Sequence, residues 1–139
     1  ARQLEIDVLN DPDPGRYARP LARRLVPEPE PYDLAPLQRP GLKVLHVQDV
    51  DYRSSCPLFV ECLAQVAAWS RAHPDHAPLL ILMNLKEGAA LPAPGAVTPA
   101  PFDAAVLAPG ARAPQDGLHS SACAPGTLMS TCIGSEQHP

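Results

Sequence analysis

The stretch APLLILMNLKEG, residues 77–88, carries the fold assignment. Its first half is a dense run of Leu, Ile and Met, then it turns abruptly polar at Asn84 and Lys86. A strand apolar on both sides of the pleat suits a parallel sheet covered on both faces. Upstream, LFVECLAQVAAWSRAH, residues 58–73, has a helical period. Phe59, Cys62, Leu63, Val66 and Ser70 share one stripe, with Trp69 at its edge and Pro74 as the stop. Ser54 or Ser55 is the expected cap. Before the helix, LKVLHVQDV, residues 42–50, alternates like a strand, with Val44, His46 and Gln48 on one face. Strand, helix and strand at this spacing read as a βαβ unit.

Further out lies RQLEIDVL, residues 2–9, a third strand. Leu4, Ile6 and Val8 face one way, and Glu5 and Asp7 the other. The turn cluster NDPDPG, residues 10–15, ends it. From residue 16 to 40 the chain is punctuated by proline and has no period, apart from a short strand expected at RRLV, residues 23–26. An excursion of that length reads as either a functional loop or a disordered insert. Beyond Gly88, FDAAVLA offers one or two helical turns with Thr98 as the expected cap. Residues 109–139 have the composition of a disordered tail, which divides the chain into a domain over 1–108 and a tail over 109–139.

Composition narrows the function. The 139 residues suit one modest domain, and 45% are apolar. Nineteen prolines forbid regular structure throughout. A net charge of -4 with 4% aromatics lacks the basic, stacking footprint of a nucleic-acid binder. The basic residues gather only in RYARPLARRL, residues 16–25, where a solubilising role and the reception of an anionic substrate are both open. No apolar run is long enough to span a bilayer, and there is no leader-like apolar region at the start. Of the four cysteines, Cys56 and Cys62 are six apart. They can be bridged only if Cys56 sits in the turn before the helix, where Pro57 would favour a start.

Three groups carry chemistry. Glu5 and Asp7 leave one face of a strand with Cα atoms roughly 6.6 Å apart, close enough to share a hard cation such as calcium. His46 near the end of the second strand is placed for proton transfer or for donation to a phosphoryl oxygen. Asn84 offers a neutral oxygen to a metal, and Lys86 a charge to an anionic substrate. Each has a bland reading beside it: a solvated strand face, a satisfied core histidine, an ordinary surface lysine. Together they suit a phosphate ester held by calcium.

In this order, the E-I-D strand, the strand holding His46, the helix CPLFVECLAQVAAWSRAHPDHAP and the strand LMNLKEG resemble the calcium-dependent phosphoinositide-specific phospholipase C family, over about residues 2–88. The resemblance implies a phosphodiesterase built on a TIM barrel, here an α/β fragment of one with a disordered tail. It implies a phosphoric diester hydrolase acting on phosphoinositide or related phospholipid head groups. A neighbouring hydroxyl attacks phosphorus with the assistance of Ca2+. Glu5 and Asp7 then match calcium ligands. Asn84 falls near a position where animal relatives place a further carboxylate. His46 matches a histidine that stabilises the transition state, and Lys86 a basic residue at the phosphate. The family's general acid–base histidine precedes the E-x-D strand, and only four residues stand before Glu5 here. A fragment of a longer, secreted protein is therefore expected, touching the membrane surface transiently. The alternatives are a glycerophosphodiester phosphodiesterase, which HVQDVD distantly suggests, and an inactive structural fragment lacking the general base.

Overall fold

A computed structural model describes residues 3–27, 30–107 and 130–133. Strand β1 (Gln3–Leu9) is followed by a short helix α1 (Ala22–Leu25), a 3-10 turn (Ala35–Gln38) and strand β2 (Lys43–Val44). Helix α2 (Phe59–Ala72), strand β3 (Leu79–Leu85), helix α3 (Ala104–Leu107) and strand β4 (Ser130–Ile133) complete the order.

The strands form one open sheet in the order β2-β1-β3-β4. β1 and β3 pair in parallel over six residues, from Gln3 opposite Leu80 to Val8 opposite Leu85. Both strands are expected from their apolar runs, as is a parallel setting for β3, but its parallel partner is β1 and not the strand expected at residues 42–50. The edges differ. β2 is antiparallel to β1 (Val8 opposite Val44, Leu9 opposite Lys43), and β4 is antiparallel to β3.

The expectation of a TIM barrel is thereby overturned. A barrel needs strands paired on both sides all the way round. Among the described residues the sheet ends at β2 on one side and β4 on the other, with antiparallel partners where a (β/α) barrel would place parallel ones. The βαβ unit is also reassigned: α2 connects the parallel pair β1 and β3, and β2 is a two-residue edge strand rather than its first member. Of the expected tail, residues 130–133 form β4 and the rest lies outside the described residues.

The shortening of β2 has a specific cause. After Val44 the chain leaves the sheet and turns through residues 47–51, where Val47 and Asp51 exchange backbone hydrogen bonds at 3.1 and 2.9 Å. Asp49 sits in this turn at φ 72°, a left-handed conformation that Asp tolerates better than most residues. Its buried carboxylate accepts the backbone N–H of Leu21 (3.1 Å) and of Val97 (2.7 Å), and its carbonyl accepts that of Ala22 (2.8 Å). One residue thus fastens three segments far apart in sequence. The apparent alternation of LKVLHVQDV hides a turn whose stabilising donors come from elsewhere.

The proline-rich excursion is structured, because it supplies the core. Leu9, Tyr17, Ala18, Leu37, Leu45 and Tyr52 form a buried cluster, with Ala22, Tyr32, Leu34 and Val97 packed against it. Burying a Leu or Val side chain stabilises by about 1.5–3 kcal/mol, so these loop residues matter as much as strand ones. Polar tips are satisfied inside it. The Tyr17 hydroxyl donates to Asn10 O (2.7 Å) and accepts from Ala100 N–H (3.2 Å). The Tyr32 hydroxyl donates to Ser54 O and accepts from Ser54 N–H, both at 2.9 Å. RRLV is not a strand: Ala22–Leu25 make one helical turn.

Helix α2 starts two residues after Pro57, with Leu58 as N-cap and no side-chain cap bond, so neither Ser54 nor Ser55 caps it. A Cys56–Cys62 disulfide ties the preceding turn to its first turn, with Cα atoms 5.6 Å apart and Cys56 off the helix. Cys62 and Ala67 are buried, and Phe59, Leu63, Val66 and Ser70 half-buried beside them. Glu61 in the first turn and Arg71 in the last complement the helix dipole. In α3, Asp103 accepts the Val106 N–H at 2.9 Å and serves as the cap in place of Thr98.

Candidate functional site

The side-chain alternation of β1 places Glu5 and Asp7 on one face, and the parallel register sets Asp7 directly beside Asn84. Lys86 continues the ladder one residue past β3, its N–H donating to Val8 O at 2.8 Å, so its side chain falls on the same face. Four groups meet there. The Asn84 amide Nδ2 donates to Asp7 Oδ1 at 2.7 Å and, more weakly, to Glu5 Oε1 at 3.4 Å. The Lys86 ammonium lies 3.0 Å from Asp7 Oδ1, with both side chains half-buried. The sequence proposed these four residues, and the structure brings them together.

His46 stands apart from this hydrogen-bonded group. It follows β2, which flanks β1 on the edge away from β3. Its Nδ1 lies 2.7 Å from Asp51 Oδ2, and both side chains are exposed, at 63% and 59%. An ionised carboxylate only accepts, so Nδ1 carries the proton and Nε2 is left as the free lone pair of the neutral ring. Asp51 is the residue that sequence reasoning missed. The signal was the H-V-Q-D-V-D spacing, whose second Asp reaches back to His46 only once the strand is broken by the 47–51 turn.

The fit of this face to calcium can be tested on its donors. Calcium takes six to eight oxygens, many of them carboxylate or carbonyl. Glu5, Asp7 and the Asn84 side-chain oxygen are all of that kind. The Asn84 amide now turns its nitrogen towards both carboxylates, and a half-turn about χ2 would present its oxygen instead. Among the described residues there is no group of three or more His, Cys, Asp or Glu placed to hold a metal. The face gathers two carboxylates and one amide, oxygen donors of the kind calcium takes but fewer than the six to eight it needs.

A second polar centre is structural. Lys43 and Asp11, both fully buried, form an ion pair at 2.8 Å. The remaining Lys43 donors go to Arg39 O (2.6 Å) and Gly41 O (2.7 Å). All its protons are used locally, and β2 is locked to the turn that follows β1.

The α/β sheet gathers two carboxylates, an amide and an ammonium on one face. The chain belongs to the calcium-dependent phosphoinositide phospholipase C family, whose model matches residues 1–111. No curated protein matches the chain, and no solved structure does. Membership in this family suggests a phospholipid or other phosphodiester substrate and implies calcium dependence. No helix among the described residues is long and apolar enough to cross a membrane.

Proposed function

We propose that the chain carries the metal- and phosphate-binding part of a phosphoric diester hydrolase acting on phosphoinositide head groups. The observation that supports this most is the Glu5–Asp7–Asn84–Lys86 cluster, within a chain that the family model matches over residues 1–111. Glu5, Asp7 and Asn84 are the residues that would hold calcium. The metal, when bound, would stabilise negative charge developing on the phosphoryl oxygens and lower the pKa of a bound hydroxyl.

The chain's own groups have separate roles in this reading. Lys86 faces the phosphate and balances its charge, while Asp7 holds the ammonium in place at 3.0 Å. His46 presents Nε2, with Asp51 fixing its ring and tautomer through the 2.7 Å bond at Nδ1. A ring held this way takes a proton at Nε2, and once protonated it donates to a phosphoryl oxygen. Asp51 then stabilises the imidazolium.

The test is hydrolysis of phosphatidylinositol and of glycerophosphocholine, each with calcium and with chelator. Calcium-dependent release of inositol phosphate is expected, with His46→Ala lowering kcat by about 100-fold or more, the range of general acid–base catalysis. Cleavage of glycerophosphocholine alone would place the chain with the glycerophosphodiester phosphodiesterases. Failure to cleave either substrate would leave the cluster a structural polar patch.

A further inference from the structure

At the end of α2, Trp69, Ser70, His73 and His76 form a group that the proposed function does not use. The hydroxyl of a helical serine commonly bonds the carbonyl four residues earlier. That of Ser70 instead leaves the helix, and its Oγ lies 2.6 Å from His76 Nε2. His76 Nδ1 lies 2.6 Å from Ala77 O. A carbonyl only accepts, so Nδ1 carries the proton of the neutral ring. Nε2 is then the acceptor, and the Ser70 hydroxyl donates to it. The Trp69 ring packs on His76, with centroids 5.0 Å apart, and stacks on His73 at 4.7 Å. The His76 imidazole is thus fixed in tautomer by Ala77 and in position by Trp69.

A hydroxyl that donates to an oriented imidazole nitrogen is the arrangement that activates a serine nucleophile, with a third group holding the base. Here the third group is a backbone carbonyl. Ser70 and His76 are both half-buried. His76 opens on a depression of about 460 Å³ lined also by Trp69, Ala72, His73, Pro74 and Asp75. Trp69, 44% exposed, offers an aromatic wall to a planar group, and the Asp75 carboxylate disfavours anions. The position in the helix restricts the chemistry further. Ser70 stands in the last turn of α2, where a helix presents carbonyls rather than N–H groups. The His73 N–H there is already given to Ser70 O at 3.1 Å. One oxyanion-hole donor is worth about 100- to 1000-fold in rate. A serine at this end of a helix lacks that help from its own helix. The acyl donors within its reach are therefore neutral aryl esters, whose phenolate leaves without a proton, and not alkyl esters or amides.

We propose that Ser70 and His76 form a nucleophile–base pair that takes an acyl group from neutral aryl esters. Ser70 Oγ attacks the carbonyl carbon as its proton passes to His76 Nε2. The bond from that carbon to the aryl oxygen breaks, and the phenolate leaves with the electron pair. The acyl group stays on Ser70, and the imidazolium returns its proton to solvent. Water then hydrolyses the acyl-serine, its proton taken by Nε2 and passed to the departing Ser70 oxygen. The pair precedes Leu79 at the start of β3, whereas Asn84 and Lys86 lie at the other end of that strand. The inference is therefore independent of the phosphodiesterase reading.

The experiment incubates the 139-residue chain with p-nitrophenyl acetate, follows release of p-nitrophenolate and locates the acetyl group by tandem mass spectrometry. A burst of p-nitrophenolate is expected, with acetyl on Ser70 ahead of every other serine. Ser70→Ala should remove the burst. His76→Gln should slow acetylation of Ser70 about 100-fold or more, the contribution of a positioned general base. Imidazole added to His76→Ala should restore part of the rate, which separates a lost base from a lost fold. A chelator should change none of these results. Absence of acetyl from Ser70 in the wild type would overturn the proposal. A burst undiminished in Ser70→Ala would assign the reaction to an imidazole alone and defeat it as well. Acetylation of Ser70 at the wild-type rate in His76→Gln, or no response of His76→Ala to imidazole, would remove His76 as the base and with it the pair. Loss of acetylation on adding chelator would move the reaction to the metal-binding face and equally end the proposal.

Discussion

Lys86 places its ammonium 3.0 Å from Asp7 Oδ1, so one of the two carboxylates offered to a divalent cation already has a cation beside it. The pairing follows from the register, because the parallel match of Asp7 with Asn84 brings the residue two beyond Asn84 over the same carboxylate. A metal ion entering between Glu5 and Asp7 meets the ammonium at a distance of a few ångströms. At about 5 Å, the repulsion between a divalent and a monovalent cation in a solvated site is of order 1–2 kcal/mol. Under the proposed function, Lys86 would weaken calcium binding while strengthening phosphate binding.

Lys86→Met separates the two effects. Calcium should bind the variant about tenfold more tightly than the wild type. A ligand that binds only the folded state raises its stability in proportion to its occupancy, so the calcium-dependent rise in melting temperature should grow. Phosphodiester turnover should fall at the same time. Identical calcium shifts in the two proteins would mean that the ion does not sit between Glu5 and Asp7.

The Tyr17 phenol gives the fold a signature at high pH. Burial raises its pKa above the ordinary value of 10.0, and the Ala100 N–H and the Arg16 charge offset this only in part. The folded state therefore keeps the phenolic proton at a pH where the unfolded chain has released it. Stability from this group is fully present below about pH 10 and is lost as pH rises through the folded pKa. Urea midpoints measured from pH 8 to 11 should decline above about 10. Tyr17→Phe should remove most of that decline. It should also lower stability at neutral pH by about 1–3 kcal/mol, because Asn10 O and Ala100 N–H lose their partner. A decline unchanged in Tyr17→Phe would assign it to another group.

The buried pair of Lys43 and Asp11 should be costly to break from one side. Lys43→Met leaves the Asp11 carboxylate with only the long Gly15 N–H bond (3.4 Å), and takes the lysine donor from the carbonyls of Arg39 and Gly41, in a buried site. The expected loss is about 3–5 kcal/mol by denaturant unfolding. Adding Asp11→Asn to Lys43→Met removes the uncompensated charge and should recover part of the loss. A double variant no more stable than the single one would show that the lysine acts through its carbonyl bonds alone.

The parts of this molecule that could be read from sequence are those whose stabilisation is local. Alternation in QLEIDVL and the apolar density of LLILMNL gave β1 and β3, and the 3.6-residue period gave α2. The same alternation set Glu5 with Asp7, and the strand-end position of Asn84 and Lys86 brought all four to one face. What could not be read depends on partners distant in the chain. Residues 45–51 alternate as a strand would, yet the Asp49 carboxylate finds donors at Leu21 and Val97 and holds a turn there. The same turn moves His46 off the sheet and hands it to Asp51. The excursion over residues 16–40 has no period, because its apolar residues are spaced by prolines and reach the core one at a time, as Tyr17, Leu21 and Leu37 do. Closure of the sheet was not legible at all. Strand order and direction are set by pairings such as Leu9 with Lys43, which no local pattern announces.

The Cys56–Cys62 bridge closes a short ring at the start of α2, a helix with no side-chain cap. The ring holds the segment in which Val44 N–H reaches Pro57 O at 2.9 Å and Phe59 N–H reaches Leu42 O at 3.0 Å. These two bonds are what attach the helix start to β2. A loop of this size is worth about 2 kcal/mol in the chain-entropy account of disulfides. Cys56→Ser with Cys62→Ser should lower the unfolding free energy by about that amount. It should also raise amide exchange locally, at Val44 and Phe59, before the amides of β1 and β3 exchange. The wild type treated with reductant should behave like the double variant, and reductant should not change the double variant further. If the amides of Val44 and Phe59 stay as protected in the double variant as in the wild type, the bridge does not hold this junction, and the backbone bonds and Leu58 packing suffice without it.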